Sequence, residues 1–182
     1  MDRALFGGKM NILDFINTPF ESVLYNWEEI QENLDMQIHS HLKQYCTKAV
    51  GSNIKQDIML DSDFFVKTGD QKNDTWLLKE DITKNPIQLT LYFPESKESI
   101  EDFLENAFEE WTGDNDFGQR AMIGELFTNI GEILILLNNK TGDIEWIDCG
   151  YGYFDVFEEN PHGILAKSIQ DFLDNIKLRI QQ

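Results

Sequence analysis

Histidine pairs, acidic loops and cysteines are the parts of this chain that could bind a metal ion or attack a substrate. His39 and His41 lie two residues apart in a segment with helical periodicity. Side chains at this spacing on a helix point in nearly opposite directions, so the pair is not expected to ligate one ion. His162 lies far along the chain in an expected turn. The histidines therefore predict no metal site.

One acidic segment partly matches a calcium-binding loop. Asp114, Asp116 and Glu125 occupy the first, third and twelfth places of that template. Its fifth place is Gly118, which has no oxygen in its side chain, and its sixth is Gln119, where the sharp turn requires glycine. The residues that follow predict a strand in place of the second helix. We expect a solvated turn here, and the sequence predicts no metal and no cofactor.

The sequence contains no clear signature of nucleophilic or acid–base catalysis. Cys149 has no basic neighbour in sequence that would lower its pKa, and Cys46 and the serines offer nothing better. Carboxylates are abundant, yet their spacing picks out no pair for acid–base work. Nucleophile-elbow, phosphate-loop and dinucleotide motifs do not occur in the sequence. The sequence therefore predicts that the protein is not an enzyme.

The charge balance is the strongest signal in the composition. Of 182 residues, 33 are acidic and 15 are basic, giving a formal net charge of −18 and a pI near 4.3. Such a surface repels nucleic acids and anionic membranes and attracts a basic protein partner. The alternative is that the charge serves solubility alone. Two cysteines without a C-x-x-C pair, and no apolar run of signal-peptide or membrane-spanning length, lead us to expect a cytoplasmic protein.

Acidic residues are concentrated on a predicted helix at residues 98–112. Glu101, Glu105 and Glu109 belong to this acidic face, and no lysine or arginine occurs between Lys97 and Arg120. The inward stripe consists of Ile100, Phe103, Leu104, Ala107, Phe108 and Trp111. The acidic face is either an ordinary solvated surface or a docking surface for a basic partner. The sequence leaves both interpretations open.

The glycine-rich segment from Asp148 to Tyr153 is a second candidate contact surface. Tyr151 and Tyr153 on such a loop could act as rigid anchors in a protein interface. The alternative is that these aromatic side chains belong to the core. We therefore consider Asp148, Tyr151 and Tyr153 as candidate partner-binding residues, together with the three glutamates of the acidic face.

The elements that position these residues follow an α+β order. Thr18, Pro19 and Glu21 predict a helix start, and apolar spacing continues the helix to Ala49 with a break near 34–37. A final helix is predicted after Ser168. Predicted strands lie at 75–78, 87–93, 122–127, 132–137, 143–147 and 151–157, with 132–147 forming a tight hairpin. The apolar pieces at 58–60 and 64–66 fit either edge strands or an irregular crossover. We predict a flexible arm at 1–10 and one domain at 11–182.

The C-terminal third resembles the SUKH superfamily, which joins bacterial immunity proteins to fungal Smi/Knr-type regulators of cell-wall glucan synthesis. Gly131, Gly142, Trp146 and Asp148 match its hairpin, and its final helix is matched by Ser168, Phe172 and Leu173. The matching region covers roughly residues 121–178. The leucine-proline element and the Asn-Gly turn of many members are missing from the N-terminal half.

The resemblance implies a single α+β domain with a curved, mostly antiparallel sheet flanked by N-terminal, inserted and C-terminal helices. It also implies a non-enzymatic immunity-type protein that binds and neutralises a toxin. A basic nuclease is the toxin class that the acidity would suit. Two alternatives remain: a regulator or scaffold of cell-wall synthesis, and an unrecognised hydrolase or metal-dependent enzyme.

Overall fold

A six-stranded antiparallel sheet forms the frame of the α+β fold. The computed structural model describes residues 11–18, 25–52, 54–58, 87–111, 117–127, 131–148, 157 and 160–180. The strands are β1 (Ile54–Ile58), β2 (Ile87–Leu91), β3 (Arg120–Phe127), β4 (Glu132–Asn138), β5 (Ile144–Asp148) and β6 (His162–Ala166). They lie side by side in chain order, and each pairs antiparallel with the next. The predicted fold class is confirmed.

The described helices bury their apolar residues in one cluster against one face of this sheet. They are α1 (Ile12–Asn17), α2 (Trp27–Asn33), α3 (Ser40–Lys48), α4 (Ile100–Glu105) and α5 (Ile169–Ile180). Phe15, Leu42, Leu104 and Phe172 pack in this cluster with Ile135 of the central strand β4. Burying one such side chain stabilises the fold by roughly 1.5–3 kcal/mol. The helices therefore form one layer and the sheet the other.

The hairpin and the last helix follow their sequence patterns closely. β4 and β5 begin and end within one residue of the predicted strands, and Gly142 takes a positive φ of 76° in the turn between them. In α5 the inward residues Ile169 and Ile176 are buried as predicted. The Ser168 hydroxyl accepts a hydrogen bond from the Asp171 amide at 3.1 Å, so the predicted cap is confirmed.

The N-terminal helices differ from the prediction. Thr18 ends α1, and its hydroxyl donates a hydrogen bond to the Asp14 carbonyl; residues 19–24, in which the predicted helix would begin, lie outside the described residues. α2 begins at Trp27 and is capped by the Asn26 side chain. Residues 34–39 separate α2 from α3, which agrees with the predicted break near 34–37. Within the predicted helix from Thr18 to Ala49 the described residues form α2 and α3, whereas α1, which lies before Thr18, was not predicted.

Two strands were also misplaced by the sequence patterns. β1 occupies Ile54–Ile58, just before the apolar piece predicted at 58–60. β6 begins at His162, where a turn was expected. Its residues pair with β5, with Trp146 opposite Gly163 and Ile147 opposite His162. The arm at 1–10, the predicted strand at 75–78, residues 151–156 of the predicted strand at 151–157 and the turn at Asn85–Pro86 lie outside the described residues.

A buried tyrosine fixes helix α3 to the sheet. The Tyr45 hydroxyl lies 2.7 Å from the Tyr92 carbonyl and 2.9 Å from the Ile123 carbonyl. Its ring stacks on Phe93 at 4.7 Å between centroids. Burial raises the pKa of Tyr45, so the hydroxyl keeps its proton and acts as a donor. This contact holds the C-terminal end of β2, where Tyr92 enters the candidate site described below.

Candidate functional site

Helix α4 carries the acidic face predicted from the sequence. Asp102, Glu105 and Glu109 are exposed, whereas Phe103 and Leu104 are buried against the sheet. After Glu105 the helix continues as a π-helical turn from Asn106 to Glu110. Such turns are rare and occur often at functional sites. The widened turn ends at Trp111, whose amide donates to the Asn106 carbonyl at 2.8 Å.

A small groove separates α4 from the segment that follows α2. Its volume is about 140 Å³. It is lined by Asn33, Leu34, Met36, Leu104, Glu105, Phe108 and Glu109. Asn33 donates hydrogen bonds to both carboxylate oxygens of Glu101, at 3.0 and 3.2 Å. The predicted site residue Glu101 thus connects α4 to α2 at one end of the groove, while Glu105 and Glu109 border its apolar floor. We call this feature the α4 groove.

A larger cavity of about 350 Å³ lies on the other side of α4, against the end of β2. Its lining consists of Tyr92, Phe93, Pro94, Glu95, Ser99, Asp102, Phe103, Asn106 and Trp111. The Trp111 ring lies 5.0 Å from the Tyr92 ring and 5.5 Å from the Phe103 ring, between centroids. The cavity therefore combines aromatic walls with carboxylate groups. We call it the Trp111 cavity.

Two carboxyl groups meet on the sheet behind this cavity. The Tyr92 hydroxyl donates a hydrogen bond to Glu125 Oε1 at 2.9 Å. Glu132 on β4 is hydrogen-bonded to the same Glu125 carboxylate, which raises the pKa of Glu132 to about 7 together with burial and the nearby negative charge. Burial and the bond to Glu125 also raise the pKa of Tyr92. Glu132 therefore keeps its proton up to about neutral pH.

The sequence analysis did not single out this carboxyl pair. Glu125 lies opposite Leu134, and Glu132 lies opposite Phe127, so the two glutamates are diagonal neighbours on one face of the sheet. Spacing along the chain cannot reveal such a pair. The signal that could have found it is the register of two adjacent predicted strands, each with a glutamate on the same face.

We expect Glu132→Gln to stabilise the protein at alkaline pH and to change little in acid. Glu132 has a folded-state pKa raised above its unfolded value, so its stabilising contribution is complete below about pH 4.5 and is lost as the pH rises through about 7. Glutamine mimics the protonated acid and removes this loss. Because Glu132 is partly exposed, we expect a gain of about 1 kcal/mol near pH 8.

Urea denaturation at about pH 4 and pH 8 measures this effect. Glu32→Gln, at an exposed glutamate on α2, is the matched control and should give the same change in unfolding free energy at both pH values. An E132Q gain of equal size at both pH values would contradict a raised pKa at Glu132.

At the other end of the same sheet face, a charged pair serves a structural role. Arg120 Nε donates to Glu145 Oε2 at 2.5 Å, and the Asn138 amide donates to the other oxygen of Glu145 at 3.0 Å. The Arg120 guanidinium also lies 3.7 Å from the Phe157 ring centroid. Glu145 is buried with its charge paired, so this cluster positions the strands.

His39 and His41 lie close together, which the sequence analysis did not predict. His39 precedes α3 as its N-cap residue, and its ring lies 4.8 Å from the His41 ring. The assumption that both lie within the helix on opposite faces was therefore wrong. His39 Nδ1 accepts the His41 amide proton, and His41 Nδ1 lies 2.8 Å from the Gly142 carbonyl. Burial and the neighbouring His41 lower the pKa of His39.

The other predicted site residues are placed as follows. Asp148 is at the end of β5 and only 2 % exposed, so its carboxyl is not part of the described surface. Tyr151, Tyr153, Asp114, Asp116 and Cys149 lie outside the described residues. Cys46 is buried, and burial raises its pKa. Within the described ranges, no group of three or more His, Cys, Asp or Glu side chains could hold a metal ion.

Comparisons with known proteins do not assign this chain to a family. No protein-family model matches the chain, and no curated protein matches it significantly. None of the helices in the described part of the chain has the length and apolar character needed to cross a membrane.

Proposed function

We propose that this protein is a non-enzymatic immunity-type protein that binds a basic toxin and neutralises it by direct contact. The observation that carries the proposal is the α4 groove, in which exposed Glu105 and Glu109 border an apolar floor. At about 140 Å³ the groove is smaller than the roughly 300–1,000 Å³ of small-molecule pockets. It suits individual side chains of a protein partner.

The floor and the rim of the groove contribute differently to binding. Leu34, Met36 and Phe108 are partly buried hydrophobic residues that a partner side chain could cover. Removing apolar surface from water supplies affinity, whereas the charged rim accelerates encounter with a cationic partner and fixes its orientation. The net charge of −18 extends this attraction over the whole molecule.

The sequence resemblance supports the same proposal. The C-terminal third resembles SUKH proteins, and bacterial members of that superfamily are immunity proteins. A nuclease must carry a cationic groove for its substrate, which an acidic inhibitor could occupy. A basic nuclease is therefore the toxin class that we propose, and the cytoplasm is the compartment in which the complex would form.

Co-expression with the toxin tests the proposal, and any basic nuclease encoded by a neighbouring gene is the candidate to use, since an immunity gene is expected to lie beside its toxin. We expect host cells to survive when the protein is present and to die when it is absent. Death in cells that contain the folded protein at a level equal to the toxin would overturn the proposal.

Reversing two charges of the groove should slow association. We expect E105K/E109K to reduce the association rate with the toxin by about 10-fold or more at low salt and to flatten its salt dependence. The matched control is E28K/E32K on α2, which changes the same net charge at the same spacing on exposed residues. Stopped-flow kinetics at several salt concentrations measure both. Equal slowing by the two variants would assign the effect to net charge and remove the groove from the interface.

A hydrolase is the second candidate function, and one observation favours it. The Glu125–Glu132 pair is linked through Tyr92 to the Trp111 cavity, and the pKa of Glu132 near 7 suits a general acid. The test is hydrolysis of a panel of ester, glycoside and phosphate substrates by the purified protein. Turnover that Glu132→Gln abolishes without loss of folding would favour this candidate over the immunity proposal.

A further inference from the structure

The Trp111 cavity has the composition of a site for an organic cation. Four aromatic side chains form part of its wall, and Asp102 and Glu95 contribute carboxylates at its edge. Its described lining contains no lysine, arginine or histidine that could neutralise them. A cation placed here would be attracted both by the aromatic faces and by the carboxylates. At about 350 Å³ the cavity is large enough to take an extended side chain.

We propose that the Trp111 cavity receives an arginine side chain of the partner protein. The proposal deepens the proposed function and rests on it, since a basic toxin supplies the arginine. Arginine suits the cavity better than lysine because its planar guanidinium can stack on Trp111 or Tyr92. The guanidinium can also form a bidentate ion pair with the Asp102 carboxylate. Arginine is also enriched among the residues that dominate interface energies.

The backbone around the cavity is shaped for this role. The π-helical turn Asn106–Glu110 brings the Asn106 side chain to the cavity lining and ends at Trp111. Ser99, by contrast, uses its hydroxyl locally, because it accepts from the Ser96 amide at 3.0 Å and donates to the Ser96 carbonyl at 3.2 Å. Asn106 and Asp102 therefore remain the polar side chains best placed to recognise a guanidinium.

A capped amino acid tests the cavity without the toxin. We expect N-acetyl-arginine methylamide to bind the full-length protein with a millimolar dissociation constant and to shift the Trp111 indole N–H resonance. Capped citrulline has nearly the same shape without the charge, and we expect it to bind at least 10-fold more weakly. Capped lysine should lie between them. Equal binding of arginine and citrulline would overturn the proposal.

Single substitutions assign the binding to named groups. Asp102→Asn should weaken capped arginine about 10-fold, because it removes the carboxylate and retains a side chain of similar shape. Trp111→Phe should weaken it as well, while Glu32→Gln, at an exposed glutamate on α2, is the control and should leave it unchanged. Asp102 is exposed, so D102N should fold, and its melting curve verifies this. Unchanged arginine binding by folded D102N would overturn the proposal.

The toxin complex separates this inference from the proposed function. We expect D102N to increase the dissociation rate of the complex about 10-fold. Protection of cells by the wild type, combined with an unchanged complex for D102N, would overturn the arginine pocket and leave the immunity function standing. Binding of capped arginine without protection of cells would support the pocket and overturn the immunity function.

Discussion

Gly124→Ala is expected to lower the free energy of unfolding by about 3 kcal/mol. A Cβ at this position would collide with the Thr90 carbonyl oxygen of the neighbouring strand and lie 2.8 Å from Leu91 Cδ2. The carbonyl belongs to the backbone, so relief requires β2 and β3 to move apart. Urea denaturation followed by circular dichroism measures the loss.

A second glycine serves as the control for this prediction. Gly118 has a positive φ of 62°, yet among the described residues its added Cβ would meet nothing closer than the end of the Arg120 side chain at 3.7 Å. Gly118→Ala should therefore cost about 1 kcal/mol from backbone strain alone. Similar losses for the two variants would show that close strand approach is not what requires glycine at 124. In the Gly124→Ala variant, the separation of β2 from β3 should also move Tyr92 away from Glu125 and reduce the pH dependence of stability.

Gly142→Ala is expected to cost about 3 kcal/mol for two combined reasons. Its φ of 76° disfavours any residue with a Cβ, and that Cβ would collide with the His39 ring and lie 2.5 Å from His41 Nδ1. The rings cannot move away freely, because His39 caps α3 and His41 contacts the Gly142 carbonyl. The substitution should therefore loosen the attachment of α3 to the β4–β5 turn.

A mutant cycle separates the two reasons. In the H39A/H41A background the rings are absent, so Gly142→Ala should cost only about 1 kcal/mol of backbone strain. Thermal and urea unfolding of the four proteins measure the coupling. A cost that is the same in both backgrounds would show that the histidine rings do not limit the turn.

Elements whose signal is local were predicted from the sequence. The β4–β5 hairpin has strong apolar strands around a polar turn with Gly142, and α5 has a serine cap followed by helical spacing. The acidic face of α4 was likewise predicted, because 3.6-residue periodicity fixes which residues face outward. In these segments, local propensity and burial favour the same conformation.

Elements decided by distant contacts were missed. α1 is six residues long and too short for a periodic signal, yet Phe15 is buried in the main core. β6 is recognisable as a strand only through its pairing with β5. Sequence patterns carry no information about such partners.

The candidate site was predicted only in part for the same reason. Glu105 and Glu109 were predicted from helical spacing, which the π-helical turn Asn106–Glu110 does not disturb enough to bury Glu109. The bond from Asn33 to Glu101 joins residues 68 positions apart, and the contact between Glu125 and Glu132 depends on strand register. Asp148 looked like a surface residue because it follows a strand, but the Asp148 amide donates to the Pro161 carbonyl and its side chain is buried.

The order of the strands in the sheet, which is their order along the chain, affects how the protein folds during synthesis. Each strand can find its neighbour soon after it leaves the ribosome, because its partner is always the strand just synthesised. Helix α1 is the exception. Its Phe15 contacts Phe93 near the middle of the chain, but α1 also packs against α5, the last helix described, so its packing is complete only after nearly the whole chain has been made. In a nascent chain, part of the apolar face of α1 would therefore stay accessible to chaperones until translation is almost finished.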